Sequence, residues 1–204
     1  MENKSIIDSI EKVIRSHDAD WVFSAKDFSR PEYDPTTVRQ CLNRLESQGK
    51  IKRIITGIYY SPRFNELLNE VISPSISKTA EAIARKNNWS IVPDGETALN
   101  ILGLSTQVPS QWRYASSGPN TEYDIYGVAL SFYHVRSREV ASVSRKTAII
   151  VQAIKAIGEE KIDDRTINHF SQSINTADRN TLLQDSASEP EWIAKILKRI
   201  ALDE

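Results

Sequence analysis

The sequence contains one cysteine, Cys41, among its 204 residues. A single cysteine excludes an internal disulfide and any metal site built from several thiolates. The apolar residues around Cys41 recur at helical spacing, so we expect a buried thiol that behaves as a small apolar side chain.

Long apolar runs are also absent. The longest is Ala148–Val151, whereas a helix needs ~20 apolar residues to cross a bilayer. The first residues carry acids throughout and do not resemble a signal peptide. We therefore expect a cytoplasmic protein without a membrane partner. Its 40% of hydrophobic residues are enough for a packed core.

No motif indicates an enzyme. The seven glycines are scattered and form no phosphate-binding loop, and the three histidines, His17, His134 and His169, lie far apart. Isolated acids such as Glu122 and Asp124 are common on surfaces. The sequence therefore predicts no catalytic residue, no metal site and no cofactor.

Positive charge is unevenly distributed in a chain whose net charge is −1. Between Thr36 and Arg63 the only acid is Glu46, and the bases are Arg39, Arg44, Lys50, Lys52, Arg53 and Arg63. A local basic patch on a nearly neutral protein favours nucleic-acid binding.

The first sixty residues show the pattern of a winged helix-turn-helix. An amphipathic helix is predicted over residues 4–15, and Ser24 to Asp27 form a capping box before a short second helix. Asp34 and Pro35 suit the start of a third helix, and Gly49 suits its end. The β-prone runs on either side of Thr56-Gly57 predict a hairpin.

The third helix is predicted to read DNA, because its apolar positions leave a polar face that suits the major groove. Arginine pairs with guanine, asparagine and glutamine pair with adenine, and the basic hairpin would hold phosphates. The alternatives are a solvated helix face or a winged helix that binds protein. The predicted DNA contacts are Thr36, Thr37, Arg39, Gln40, Asn43, Arg44, Lys50, Lys52, Arg53 and Thr56.

The predicted fold class is α+β, with a winged helix-turn-helix domain over residues 1–62 and a second domain over residues 63–204. A short connecting helix is expected within residues 61–74, and a loop between strands over residues 117–127. The second domain is expected to be mostly helical with a small sheet.

Two groups of residues resemble the AbiEi-type antitoxins of bacterial type IV toxin–antitoxin systems. In the N-terminal part they are Val22-Phe23-Ser24 with Asp27-Phe28, Val38 with Leu42, Arg44-Leu45, the run from Gly49 to Arg53, and the run from Gly57 to Pro62. In the second domain it is the run GETALNILGLSTQVP from Gly95 to Pro109. The resemblance covers about the first 140 residues.

This resemblance implies a cytoplasmic autorepressor that binds an operator with inverted repeats in double-stranded DNA and takes part in phage defence. It also implies an antitoxin that opposes a nucleotidyltransferase-like toxin without requiring a stable complex with it. The motif residues Thr97, Asn100, Thr106 and Gln107 either contact a partner or satisfy backbone groups around the turn at Gly103. Two alternatives remain open: a one-component regulator whose second domain binds a ligand or protein, and an adaptor without DNA affinity.

Overall fold

A computed structural model of the chain describes residues 2–18, 20–65, 69–107, 109–136, 140 and 143–202. The fold is mixed α+β and divides into two compact units, Met1–Trp89 and Ser90–Glu204. None of the helices in these ranges has the length and apolar character that a bilayer-spanning segment needs.

The first unit begins with helix α1, Glu2–Ser16, which buries Ile7, Ile10 and Ile14. Strand β1, Val22–Phe23, leads into a single 3-10 turn, Ala25–Phe28. The predicted capping box is present, because the Asp27 carboxylate accepts the backbone N–H of Ser24 at 2.7 Å. The short second helix of the prediction is therefore one 3-10 turn.

Helix α2, Pro35–Ser47, starts and ends where the sequence predicts. The Asp34 side chain accepts the backbone N–H of Thr37 at 2.9 Å, and Gly49 follows the helix with a φ of +71°. One face of α2 is buried in the core of the first unit, through Val38, Cys41, Leu42 and Leu45. Burial raises the pKa of the Cys41 thiol, as expected for a thiol in apolar surroundings.

The predicted hairpin is formed by β2, Lys52–Ile55, and β3, Ile58–Tyr60. Gly57 sits in the turn with a φ of +77°, which glycine adopts without steric cost. The three strands form an antiparallel sheet in the order β1-β3-β2.

The segment after the hairpin differs from the prediction, which was wrong in placing a helix within residues 61–74. Two short antiparallel strands lie there, β4, Arg63–Asn65, and β5, Glu70–Ile72. Asn69 has a φ of +53°, a left-handed conformation that a helix cannot contain.

Helix α3, Ile76–Asn87, belongs to the first unit although the predicted domain boundary precedes it. It contacts β1, the 3-10 turn and β3. Ser75 caps its start, and Asn88 ends it with a φ of +58°. The division between the units therefore falls at Trp89 and Ser90, later than the expected boundary after residue 62.

The second unit contains a four-stranded sheet. Its strands are β6, Ile91–Pro93, β7, Gln111–Ser116, β8, Thr121–Ile125, and β9, Val128–His134. Helix α4, Gly95–Ile101, lies between β6 and β7 in the sequence. The strand order in the sheet is β6-β7-β9-β8, in which β7 and β9 are parallel and the other neighbours are antiparallel.

The expectation of a loop over residues 117–127 was wrong, because β8 lies within it. Along β8 the apolar Tyr123 and Ile125 alternate with the exposed acids Glu122 and Asp124, as in a strand with one buried face. Tyr126 and Gly127 both have positive φ, +54° and +83°, which is the geometry of a two-residue hairpin turn.

The remaining helices pack around a core that includes Ile150, Ile154, Phe170, Leu182 and Leu197. They are α5, Arg145–Ile157, α6, Asp164–Gln172, α7, Thr176–Asp185, and α8, Glu191–Leu202, with 3-10 turns at Glu159–Lys161 and Ser186–Ser188. The second unit is therefore a small sheet accompanied by a larger set of helices.

A candidate nucleic-acid interface on the first unit

The polar face of α2 is turned to solvent, opposite its buried apolar face. Thr37 is half-buried, whereas the other predicted contacts on this helix are exposed: Thr36, Arg39, Gln40, Asn43 and Arg44. A 13-residue helix is about 20 Å long, which suits insertion into a major groove.

At the start of α2, the capping residue Asp34 takes up the hydrogen-bond donors of Thr37. Both the backbone N–H and the hydroxyl of Thr37 donate to the Asp34 carboxylate, at 2.9 and 3.3 Å. The backbone hydrogen bond from Thr37 is the main reason why the pKa of Asp34 is lowered. Thr36 accepts a hydrogen bond from the Arg39 guanidinium at 3.2 Å. The Thr37 N–H is therefore engaged by a carboxylate and not presented to a phosphate.

A hydrogen-bonded network ties the hairpin to α2. Arg53 of β2 donates to the Glu46 carboxylate at 2.5 Å and to the Asn43 amide oxygen at 3.1 Å. The Tyr59 hydroxyl donates to the same amide oxygen at 3.3 Å, and the Arg53 guanidinium lies 5.3 Å from the centre of the Tyr59 ring. The hydrogen bond with Glu46 raises the pKa of Arg53, and burial raises the pKa of Tyr59. These contacts fix the Asn43 side chain and the angle of the hairpin.

Four of the predicted contacts surround one pocket of about 480 Å³, hereafter the basic pocket. They are Arg39 and Asn43 from α2, and Arg53 and Thr56 from the hairpin. The other walls come from the 3-10 turn and from α3, which contribute Lys26 and Lys86. Among the described residues, those that line the pocket include four basic side chains and no carboxylate.

Six predicted contacts do not line the basic pocket, among them Lys50 and Lys52. Lys50 precedes β2 and forms an ion pair with Glu11 of α1, and both residues line a separate pocket of about 230 Å³. Lys52 is exposed beside Arg53 on β2, and successive strand residues point to opposite faces. Arg53, but not Lys52, therefore faces the polar side of α2.

Sequence analysis missed Lys26 and Lys86. The Lys26 ammonium donates to the Arg85 carbonyl at 2.9 Å and to the Asn88 side chain. The Lys86 ammonium donates to the Thr56 carbonyl, 30 residues away along the chain, at 2.9 Å. No periodicity or spacing could have placed an α3 residue beside the hairpin turn.

Two of the motif residues of the second unit, Thr97 and Asn100, make side-chain contacts with the backbone. The Thr97 hydroxyl is buried and accepts the backbone N–H of Arg113 at 3.2 Å. Asn100 donates to the Gln107 carbonyl at 3.0 Å, and the Gln107 N–H donates to the Ser105 hydroxyl at 3.2 Å. Thr106 is exposed, and Val108 of the same motif lies outside the described residues.

A polar pocket of about 570 Å³ lies on the sheet of the second unit. Arg113 and Tyr133 both line it, and the Arg113 guanidinium lies 5.4 Å from the centre of the Tyr133 ring and 3.6 Å from the Asp94 carboxylate. Burial is the main cause of the raised pKa of Tyr133. Further lining residues are Gln111, Glu122 and Ser131.

The histidines make separate backbone contacts. His17 lies 2.9 Å from the Val13 carbonyl, His134 2.9 Å from that of Gly118, and His169 2.7 Å from that of Leu102. Within the described ranges, no three His, Cys, Asp or Glu side chains are grouped as a metal site requires.

Comparison with known proteins finds a matching family model and a solved structure of low similarity. No curated protein matches the chain. The crystal structure of the RV2827C protein from Mycobacterium tuberculosis is similar at 14% sequence identity and a TM-score of 0.40, over 95% of this chain and 75% of that one. The family model described as a family of unknown function, DUF6088, matches residues 9–182. Because this match spans most of the sequence, the chain belongs to the DUF6088 family.

Proposed function

We propose that the chain is a sequence-specific DNA-binding transcriptional regulator whose first unit acts as a winged helix-turn-helix. The order of α1, the 3-10 turn, α2 and the β2–β3 hairpin supports this proposal. The observation that carries it is the exposed polar face of α2 beside a basic pocket that the hairpin helps to form.

In this proposal α2 enters the major groove and reads bases with its exposed side chains. Arg39 pairs with guanine O6 and N7, and Gln40 pairs with adenine N6 and N7. Asn43 has a narrower role, because its amide oxygen already accepts hydrogen bonds from Arg53 and Tyr59. Its amide N–H₂ is the group that reaches a base acceptor.

The hairpin holds the DNA backbone rather than reading sequence. Lys52 is exposed on β2, and Thr56 lies exposed in the turn. Contacts to phosphates add affinity without base preference and weaken as salt rises. The segment that carries these groups is locally positive in a chain of net charge −1, which limits attraction to unrelated polyanions.

The experiment is a gel-shift assay on the DNA upstream of the chain's own gene. Replacing Arg39 or Gln40 with alanine should weaken specific binding by about 1–3 kcal/mol. Both side chains are exposed, so the melting temperature should stay unchanged. Arg165→Ala is the matched control, because Arg165 is an exposed arginine of the second unit. Equal binding by all four proteins would remove α2 as the DNA reader.

We extend the proposal to an autorepressing antitoxin that opposes a nucleotidyltransferase-like toxin. The support is the resemblance of the Gly95–Pro109 run, which builds α4 and the turn after it, together with the N-terminal resemblance. Co-expression of the full chain with the neighbouring gene tests this. Arg39→Ala should abolish repression of the operon and still rescue growth, whereas no rescue by the wild-type chain would refute the antitoxin role.

A second candidate is a one-component regulator whose second unit binds a small ligand. The 570 Å³ polar pocket around Arg113 favours it, because its volume and mixed polar lining suit a small polar molecule. A small-molecule extract that shifts the DNA affinity of the wild-type chain, but not of Arg113→Gln, would support this candidate. A DNA affinity that no extract changes would count against it.

A further inference from the structure

The cations that line the basic pocket differ in whether a carboxylate neutralises their charge. Arg53 is paired with Glu46. The ammonium groups of Lys26 and Lys86 instead donate to neutral acceptors: the Arg85 carbonyl, the Asn88 amide and the Thr56 carbonyl. Neither lysine forms an ion pair with a carboxylate in the part of the chain that the structure describes. Their positive charge is therefore available to an anion.

The two lysines also retain hydrogen-bond donors. An ammonium group has three N–H donors, and Lys86 uses one of them on the Thr56 carbonyl. Both lysines are exposed residues. Each ammonium group can therefore donate to an anionic oxygen in the pocket without breaking the contacts that hold its side chain in place.

The position of the pocket indicates which anion it would bind. Arg39 of the polar α2 face forms one wall, and the hairpin turn forms another. Lys86 lies against that turn, since a Cβ placed on Gly57 would be 2.9 Å from its ammonium nitrogen. In helix-turn-helix proteins the recognition helix lies in the major groove while neighbouring elements contact the DNA backbone, and this pocket is formed by α2 together with its neighbouring elements.

We infer that the basic pocket binds a phosphate of the DNA backbone, held by Lys26 and Lys86. Helix α3 is then part of the DNA-binding surface, although it follows the hairpin and lies outside the segment of dense positive charge. The volume of about 480 Å³ leaves room for the sugars on either side of the phosphate. This inference rests on the proposed DNA-binding function and adds a contact that does not depend on base sequence.

The test is the salt dependence of DNA affinity in the full chain. Each phosphate contact contributes about 0.9 to the slope of log affinity against log salt, or about 3.5-fold in affinity between 50 and 200 mM salt. Lys26→Gln and Lys86→Gln should each lessen the salt-induced loss of affinity, and the double variant, which loses this one phosphate contact, should lessen it by about 3.5-fold. Lys86→Arg should retain the wild-type slope. Lys155→Gln, an exposed lysine of α5, is the control and should not change it.

Thermal melting and inorganic phosphate distinguish the other outcomes. If the glutamine variants melt earlier but keep the wild-type slope, the lysines only hold α3 to the hairpin and the inference is overturned. If inorganic phosphate stabilises the wild type but not Lys86→Gln while the slopes agree, the pocket binds a free anion and the inference also fails. If Arg39→Ala loses DNA binding while both glutamine variants keep the wild-type slope, the proposed function stands and the phosphate contact is refuted. A wild-type chain that binds no DNA would refute both.

Discussion

Gly95 begins α4 at a point where that helix touches α5. A Cβ at this position would lie 2.6 Å from the Ala156 Cβ, and 3.5 Å from both the Ala156 Cα and the Gln152 carbonyl oxygen. Non-bonded carbon atoms prefer a separation of about 3.5–4.0 Å, so Gly95→Ala has to move the two helices about 1 Å apart. Gly95 does not have a positive φ, so the effect is steric and not conformational.

The expected change in the free energy of unfolding is the balance of two opposing effects. Overpacking of this kind costs about 1–3 kcal/mol, whereas alanine in place of glycine gains about 0.4–1 kcal/mol by restricting the unfolded chain. We expect Gly95→Ala to lower the free energy of unfolding by roughly 1–2 kcal/mol. Urea denaturation of the full chain, followed by circular dichroism, measures this change.

A double-mutant cycle tests the named contact. Ala156→Gly alone should cost about 0.5–1 kcal/mol, because glycine weakens a helix. In the double variant the two Cβ atoms no longer meet, so its loss should be clearly smaller than the sum of the two single losses. A Gly95→Ala chain as stable as the wild type, or strict additivity in the double variant, would refute the steric argument.

Three further substitutions test single contacts. Glu46→Gln removes the only acid between residues 36 and 63, which is also the partner of Arg53. Gel shifts should therefore show tighter DNA binding, while the free energy of unfolding falls by less than about 1 kcal/mol. Weaker DNA binding would contradict this prediction. The lowered pKa of Asp34 implies stabilisation that is present above the unfolded pKa of about 3.9 and lost as pH falls through the folded value. Thermal melts of Asp34→Asn, which keeps a capping side chain, should therefore match the wild type near neutral pH and lack that acid sensitivity. Thr97→Val leaves the Arg113 N–H without its acceptor and should lower the free energy of unfolding by about 1–3 kcal/mol. Thr97→Ser keeps the hydroxyl and should lower it by less. Equal losses in the two variants would mean that the hydrogen bond contributes nothing to stability.

Local signals predicted α2 and the β2–β3 hairpin because these elements are specified by neighbouring residues. The cap at Asp34, the proline at position 35 and the glycine at 49 determine where α2 starts and ends. The spacing of Val38, Leu42 and Leu45 determines which face is buried, and hence which face carries Arg39 and Asn43. These features need no information from distant parts of the chain.

The errors occurred where pairing with another strand decides the structure. Strand β8 has a polar sequence, and it is stabilised by antiparallel pairing with β9, in which Tyr123 lies opposite Leu130. Strands β4 and β5 are short and, among the residues that the structure describes, pair only with each other. Because a strand obtains its hydrogen bonds from a partner, composition alone cannot separate such segments from loops or short helices.

The candidate site shows the same division between local and distant determinants. The wall formed by α2 and the hairpin comes from adjacent elements, and its residues were predicted. The opposite wall depends on α3, which reaches the hairpin turn through the hydrogen bond from Lys86 to Thr56. A lysine at the end of an amphipathic helix is most often a favourable partner of the helix dipole, and its sequence context gives no reason to assign it to DNA. Only the fold, which packs α3 against the sheet and the 3-10 turn, places that lysine in the same pocket as Arg39 of α2.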